Sequence, residues 1–246
     1  MKLMTKLKKF LCYFTTGELV LWITSVMLIV VPFCIFDRQN FLTLVVSIIG
    51  VTAILFNAKG NPLGQVLMIF FCVVYGIISL EMRYYGETIT YLGMSLPMTI
   101  FALVTWLKNP FNEKKSQVKI NTATKRDYMT MLILACIVTF AFYFILKHFN
   151  TANLVVSTFS VATSFAAAFL VFKRSEYFPL GYMINDLVLI VLWTLACFTD
   201  IRYISVVSCF VAFFLTDAYS FINWSRMKKR QIKILAQKVE NVSDSI

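Results

Sequence analysis

Four residues near the end of the last hydrophobic stretch have side chains that could bind a polar ligand inside a membrane. They are Asp217, Tyr219, Asn223 and Trp224, and a basic run up to Arg230 follows them. An Asp and an Asn are costly in a bilayer-spanning helix unless they pair, face a cavity or bind a ligand. Tyr219 and Asn223 are four residues apart and share one helical face. Asp217 and Trp224, seven apart, share another, so the stretch predicts a polar and aromatic site.

A second polar stripe with helical spacing lies in the preceding hydrophobic stretch. Its members are Tyr182, Asn185, Asp186, Leu189 and Trp193. A matching stripe earlier in the chain consists of Gln65, Met68, Cys72, Tyr75 and Ser79. Trp and Tyr rings offer stacking surfaces and attract a cation, Asn and Gln amides bind amide or hydroxyl groups, and Asp balances a positive charge. The stripes therefore predict a site for a small polar ligand with a flat ring.

Structural roles are an alternative for several of these residues. Trp224 lies near a span end, where an interfacial aromatic belt would also place a Trp. Asn185 or Asp186 could simply pair with a neighbouring helix. Tyr219 with Asn223 is the preferred ligand-binding pair, since a belt does not explain Asn223.

Composition places these residues in a polytopic membrane protein. The chain of 246 residues is 59% hydrophobic and 14% charged, whereas soluble domains are typically nearer 45–50% and 25%. The six Cys show no CxxC pairing, and no metal cluster, phosphate-binding loop or nucleophile with a base is visible, so we expect no cofactor and no enzyme. The net charge of +11 does not indicate nucleic acid, because the basic residues cluster beside hydrophobic spans.

Eight segments are long enough to cross a bilayer as helices. They are predicted at 17–36, 40–58, 63–82, 88–107, 128–147, 152–172, 179–198 and 203–224. With this topology, 19 of the 23 Lys and Arg residues lie on one side, and the other side has Arg38, Arg83, Lys147 and Arg202. Cytoplasmic loops carry the excess of Lys and Arg, so both termini are expected in the cytoplasm of a multi-pass membrane protein.

The polar loop in the middle of the chain divides it into two halves. We predict a basic cytoplasmic N-terminus at 1–16, a first transmembrane half at 17–107, a basic cytoplasmic loop at 108–127, a second half at 128–224 and a basic cytoplasmic tail at 225–246. Pro-Leu-Gly opens the third span at Pro62 and the seventh at Pro179, 117 residues later. Trp106 and Trp224 close the fourth and eighth spans, 118 residues apart. The landmarks predict a parallel repeat, which places a substrate site between the halves.

The sequence resembles the PnuC family of bacterial nicotinamide riboside transporters over about residues 15 to 232. The resemblance rests on the Pro-Leu-Gly starts, on the exit from Trp106 to Pro110 and on the ending from Asp217 to Arg230. That family is similar to the SWEET transporters. It implies an all-α membrane protein with two three-helix repeats, spans 2–4 and 6–8, joined by a linker helix and preceded by an extra N-terminal helix.

The resemblance also implies a function. It implies facilitated diffusion of nicotinamide riboside across the bacterial inner membrane, trapping by a cytoplasmic riboside kinase, and a homotrimer. The residues that fit the family's ligand contacts are Tyr219 and Asn223, with Trp193, Asn185 and Gln65 less securely placed. Two other functions stay open: transport of another flat ring such as thiamine or a deoxynucleoside, and a non-transporting receptor or subunit with a basic tail.

Overall fold

Eight long helices form the part of the chain that the structure describes. The computed structural model describes residues 13–81, 85–111 and 116–243. The helices are α1 (Thr16–Phe36), α2 (Phe41–Ala58), α3 (Leu63–Glu81), α4 (Tyr85–Lys108), α5 (Lys125–His148), α6 (Leu154–Phe172), α7 (Phe178–Cys197) and α8 (Ile204–Ser243). Within the described residues, eight helices are long and apolar enough to cross a membrane, which confirms the predicted all-α fold with eight spans.

Two helix boundaries differ from prediction in ways that matter. Helix α4 begins at Tyr85 rather than at residue 88, and it contains a π-helical segment, Thr90–Ser95. Helix α8 does not end with the predicted span at residue 224 but continues to Ser243, so most of the predicted tail segment 225–246 is helical. Residues 1–12 of the predicted N-terminal segment, Arg83, the loop residues 112–115 and the end of the tail at 244–246 lie outside the described residues.

Equivalent contacts start the two halves. Helices α1 and α5 each begin at a threonine N-cap in a capping box, with Glu18 and Asp127 as the acids at the third helical position. Each acid also pairs with the lysine that follows the next helix: Glu18 with Lys59 and Asp127 with Lys173, both at 2.8 Å. The same contact therefore ties α1 to the end of α2 and α5 to the end of α6.

The ends of α2 and α6 are matched as well. Each ends in a turn with a left-handed residue, Gly60 at φ 67° and Arg174 at φ 56°. The central loop connects the two turns, because Val118 N donates to Gly60 O at 2.9 Å and Asn121 N donates to Arg174 O at 3.0 Å. We call the loop residues 116–121 the strap. These paired contacts support a parallel repeat, whose division into three-helix units stays a prediction.

The extended part of α8 holds the strap in place. Gln231 is 3% exposed, and its Nε2 donates to Val118 O at 3.0 Å while its Oε1 accepts from Ile120 N at 2.9 Å. Met227, also buried, lies against Gly60 and Val118. This packing explains why the helix continues past the predicted span end. We call the side of the molecule that carries Lys59, Lys173 and the strap the basic face.

A tryptophan pair joins the halves beneath the strap. Trp106 of α4 and Trp224 of α8 are both fully buried, and their ring centroids lie 5.5 Å apart. Trp106 Nε1 donates to Val171 O at 3.0 Å, near the end of α6. Trp224 Nε1 donates to Asn57 O at 2.8 Å, near the end of α2. The pair connects each half to the other, and neither indole belongs to a surface aromatic belt.

Replacing either tryptophan with phenylalanine should have a small effect. Trp224→Phe and Trp106→Phe keep an aromatic ring but each lose one hydrogen bond, worth about 1 kcal/mol. The loss is limited because Asn57 O also accepts from Gly60 N, and Val171 O also accepts from Arg174 N. Thermal unfolding in detergent should show similar, modest decreases for both variants. Opposite or very unequal shifts would contradict an equivalent role for the two indoles.

Candidate functional site

A cavity opens at the end of the bundle opposite the basic face. Its volume is about 290 Å³. It is lined by Asp37, Asn40, Thr43, Tyr75, Ile78, Ser79, Glu87, Trp193, Asp200, Arg202, Tyr203 and Val206. Ligand pockets typically begin near 300 Å³. The cavity therefore suits a small ligand, and it receives side chains from both halves of the chain.

Aromatic rings form two walls of this cavity. On the side of α3 and α4, Tyr75 lies 4.5 Å from Tyr91 and 5.6 Å from Phe71, measured between ring centroids. On the opposite half, Trp193 of α7 lies 5.3 Å from Tyr203, which precedes α8. Trp193 is 7% exposed, so packing holds its ring in place. A flat ligand entering the cavity would meet aromatic surfaces from both halves.

The charges in the lining are mainly negative. Asp37, Glu87 and Asp200 contribute carboxyl groups, and Arg202 is the one cation among the described lining residues. Asp200 already binds the guanidinium of Arg202 through three hydrogen bonds between 2.6 and 3.1 Å. These bonds hold the pKa of Asp200 below its ordinary value. Because this pair neutralises Arg202, the remaining carboxyl groups favour a positively charged ligand.

Amide and hydroxyl groups complete the lining. Asn40 Nδ2 donates to Asp37 Oδ1 at 2.7 Å, which fixes both side chains where α1 passes into α2. Ser79 is 3% exposed on the last turns of α3. The cavity can therefore offer hydrogen bonds beside its rings and charges.

Of the predicted site residues, Trp193 alone lines this cavity. The preferred pair lies elsewhere: Tyr219 Oη donates to Glu18 Oε1 at 2.7 Å, and Asn223 Nδ2 donates to Ala58 O at 2.8 Å. These bonds join α8 to α1 and to the end of α2 at the basic face. The structure thus gives both side chains protein partners, and a role in ligand binding stays a prediction for them.

Two further predicted site residues, Gln65 and Trp224, also lie near the end of α2 at the basic face. Gln65 Nε2 donates to Asn57 Oδ1 at 2.9 Å, a bond between α3 and α2. Trp224 donates to the carbonyl of the same asparagine. Asn57 therefore links α2 to both α3 and α8. It gives a protein hydrogen-bond partner to Gln65 and Trp224, which the sequence predicts as ligand contacts.

The remaining candidates lie in the interior. Asn185 Oδ1 accepts from Thr163 Oγ1 at 2.8 Å and from Ser164 Oγ at 3.1 Å, so it pairs with α6, as the structural alternative expected. Asp186 and Asp217 are each 3% exposed and lie close enough for their charges to interact. None of the ion pairs among the described residues includes either carboxyl group.

Comparison with known proteins identifies the family of this chain. The sequence model of a family described as nicotinamide mononucleotide transporter matches residues 40–228. A relative named nicotinamide riboside transporter PnuC, from Neisseria mucosa, is 22% identical over 201 residues, which cover 80% of this chain and 76% of the relative. The match to the family model spans most of the chain. The chain belongs to the nicotinamide mononucleotide transporter family.

A solved structure of similar fold agrees with this assignment. The crystal structure of the vitamin B3 transporter PnuC superposes with a TM-score of 0.74 at 20% identity, covering 89% of this chain and 94% of that one. The predicted resemblance to PnuC is confirmed. Because the family consists of transporters, the prediction that the chain is not an enzyme is confirmed too.

The region that matches the family contains nearly the whole cavity. It begins at Asn40, after α1, so Asp37 is the single lining residue outside it. The match thus starts where the sequence predicted an extra N-terminal helix to end. In this chain α1 nevertheless packs closely against α8, and Ser25 of α1 lies 3.3 Å from Thr216 of α8, measured between the hydroxyl oxygens.

Sequence reasoning missed several of the lining residues. Glu87 lies outside the predicted fourth span, which begins at residue 88. Tyr203 is only the first residue of the predicted eighth span. Tyr75 did appear in the stripe of the third span but was not chosen as a ligand contact. A useful signal was available there, since Tyr75 and Ser79 share one helical face with Gln65, Met68 and Cys72.

Proposed function

We propose that this protein transports nicotinamide riboside across a bacterial inner membrane by facilitated diffusion. Family membership supports a transporter of nicotinamide riboside or its mononucleotide, and the names of the relatives support the riboside. The observation that carries the proposal is the cavity between the halves, whose lining combines aromatic rings with carboxyl groups. Nicotinamide riboside has a positively charged, flat pyridinium ring, a carboxamide and ribose hydroxyls, and each finds a suitable partner type there.

The charge of the lining favours the riboside over the mononucleotide. The mononucleotide carries a phosphate, which would lie among the carboxyl groups of Asp37 and Glu87. The guanidinium of Arg202 could attract a phosphate, but Asp200 already engages it. A phosphate would therefore have to compete with that carboxylate or lose its hydration without compensation.

The roles of the lining residues follow from their chemistry. Trp193 and Tyr75, from different halves of the chain, provide ring faces for the pyridinium. Asn40 and Ser79 provide groups that hydrogen-bond a carboxamide or a sugar hydroxyl. The cargo would then pass between the halves as they expose the cavity alternately to the two sides of the membrane.

Three features complete the proposal. Both termini and the basic face lie in the cytoplasm, as the distribution of Lys and Arg predicts. A cytoplasmic kinase phosphorylates the riboside and so traps it, because the added phosphate prevents its return through a negatively charged cavity. The protein assembles as a homotrimer, as the resemblance to PnuC implies.

Calorimetry with the detergent-purified protein tests the cargo. Nicotinamide riboside should bind more than about tenfold more tightly than nicotinamide mononucleotide, thiamine or deoxyadenosine. Tighter binding of the mononucleotide would contradict the charge argument. Preferential binding of thiamine, which is also a cationic ring compound, would support the cavity as the binding site but identify a different cargo.

Flux into liposomes tests the class of function. Purified protein should move labelled riboside down its gradient without ATP or an ion gradient. Binding without any flux would favour a receptor or subunit over a transporter.

A further inference from the structure

Glu87 stands out among the residues of the cavity. It lies in the first turns of α4, directly before the π-helical segment that carries Tyr91. Such segments occur often at functional sites, because they displace side chains from regular helical positions. Glu87 lines the cavity together with Tyr75, to which its carboxyl group is hydrogen-bonded.

One oxygen of this carboxyl group has no protein partner. Glu87 Oε2 is buried and makes no hydrogen bond within the described residues. The ion pairs of those residues are Glu18–Lys59, Asp127–Lys173, Asp200–Arg202 and Glu176–Lys228, so none neutralises Glu87. A buried carboxylate without a countercharge is costly, and a bound cation removes that cost. A cationic ligand in the cavity can therefore provide the partner that Glu87 Oε2 lacks within the described residues.

The surroundings of Glu87 favour a flat cation in particular. Aromatic rings from both halves of the chain line the cavity: Tyr75, which packs against Tyr91, comes from the first half, and Trp193 and Tyr203 come from the second. Arg202, the one cation among the described lining residues, is held by Asp200. A delocalised positive charge on a ring can contact a ring face and a carboxylate at once.

We propose that Glu87 determines which oxidation state of the cargo is accepted. The oxidised riboside carries the pyridinium charge, whereas the reduced dihydropyridine riboside has nearly the same shape and no charge. Glu87 thus selects the oxidised form, and it also rejects neutral nucleosides of similar size. This inference rests on the proposed function, since it assigns a selectivity to the same cavity.

The experiment compares the two forms of the riboside. Binding to the full-length protein in detergent is measured by calorimetry, with the reduced form checked by its absorbance before and after each titration. The protein is compared with Glu87→Gln, which keeps the size of the side chain, and with Glu87→Asp, which keeps the charge. Glu176→Gln is the matched control, because Glu176 pairs with Lys228 near the basic face, away from the cavity. Thermal unfolding shows that each variant is folded.

The unsubstituted protein and Glu176→Gln should prefer the oxidised form by about tenfold or more. In Glu87→Gln this preference should fall to within about threefold, mainly because the oxidised form binds more weakly, and Glu87→Asp should restore part of it. Equal binding of both forms to the unsubstituted protein, or an equal loss of affinity for both forms in Glu87→Gln, would overturn the role of Glu87 but not the proposed function. Binding of neither form would overturn the proposed function and this inference with it.

Discussion

Replacing Gly64 with alanine is expected to destabilise the protein strongly, whereas the same change at Gly181 should have a small effect. Both glycines end a Pro-Leu-Gly triplet, one at the start of α3 and one in α7. A Cβ on Gly64 would overlap Asn57 Oδ1 and would lie only 2.6 Å from Asn57 N and 2.7 Å from Ala53 O. Two of these are backbone atoms of α2, so the overlap is relieved only if α2 and α3 move apart.

Gly181 provides the matched control. A Cβ there would lie 3.1 Å from Ala167 Cα and 3.3 Å from Ala167 Cβ, contacts that a shift of a few tenths of an ångström relieves. Overpacking of a close contact typically costs about 1–3 kcal/mol and occasionally more. We expect Gly64→Ala to lie at or above the top of this range and Gly181→Ala below it. Thermal unfolding and gel filtration in detergent measure the difference, and equal stability of the two variants would show that α2 and α3 approach less closely than described.

Replacing Trp193 with alanine should weaken binding of nicotinamide riboside by more than about tenfold. The variant removes a whole ring face from the second half of the chain, where Trp193 packs against Tyr203. A desolvated cation over such a ring is worth about 2 kcal/mol or more. Trp193→Phe keeps an aromatic face and should lose only a few-fold in affinity.

The control for Trp193 separates binding from folding. A buried Trp→Ala substitution also costs about 3–5 kcal/mol of stability. Trp22→Ala removes another indole, one that donates to Thr52 Oγ1 and does not line the cavity. It should destabilise the protein while leaving the affinity for the riboside unchanged. A folded Trp193→Ala protein with unchanged affinity would place the cargo elsewhere in the bundle.

The sequence allowed the eight helices to be predicted because hydropathy and the placement of Lys and Arg depend on the membrane rather than on tertiary contacts. It also marked Trp106 and Trp224 as equivalent. It could not show that these two rings pack against each other, because that contact joins residues far apart in the chain. Sequence periodicity identifies the face of a helix but not the helix that covers it.

The same limit explains the outcome for the site. The sequence predicts Tyr219 and Asn223 as a ligand-binding pair, and it could not show their protein partners, Glu18 and the carbonyl of Ala58, because these lie about 200 and 165 residues away. Glu87 was missed because it lies one residue before the predicted start of the fourth span at residue 88. The π-helical segment that follows it has no simple sequence signature, so its effect on the direction of side chains was not foreseeable.

The strap has a consequence for how the protein is made. Ribosomes complete Gly60, Val118 and Arg174 before they complete Gln231, which holds the strap. The carbonyls of Asn57 and Ala58 likewise gain their hydrogen bonds from Trp224 and Asn223 only after α8 has been synthesised. A nascent chain that lacks α8 therefore keeps the bond from Trp106 to Val171 and the strap contacts but lacks the bonds that Trp224 and Asn223 add between the halves at the basic face. Helix α8, which follows the other long helices of the described residues in the chain, is therefore the one that adds these bonds to the bundle.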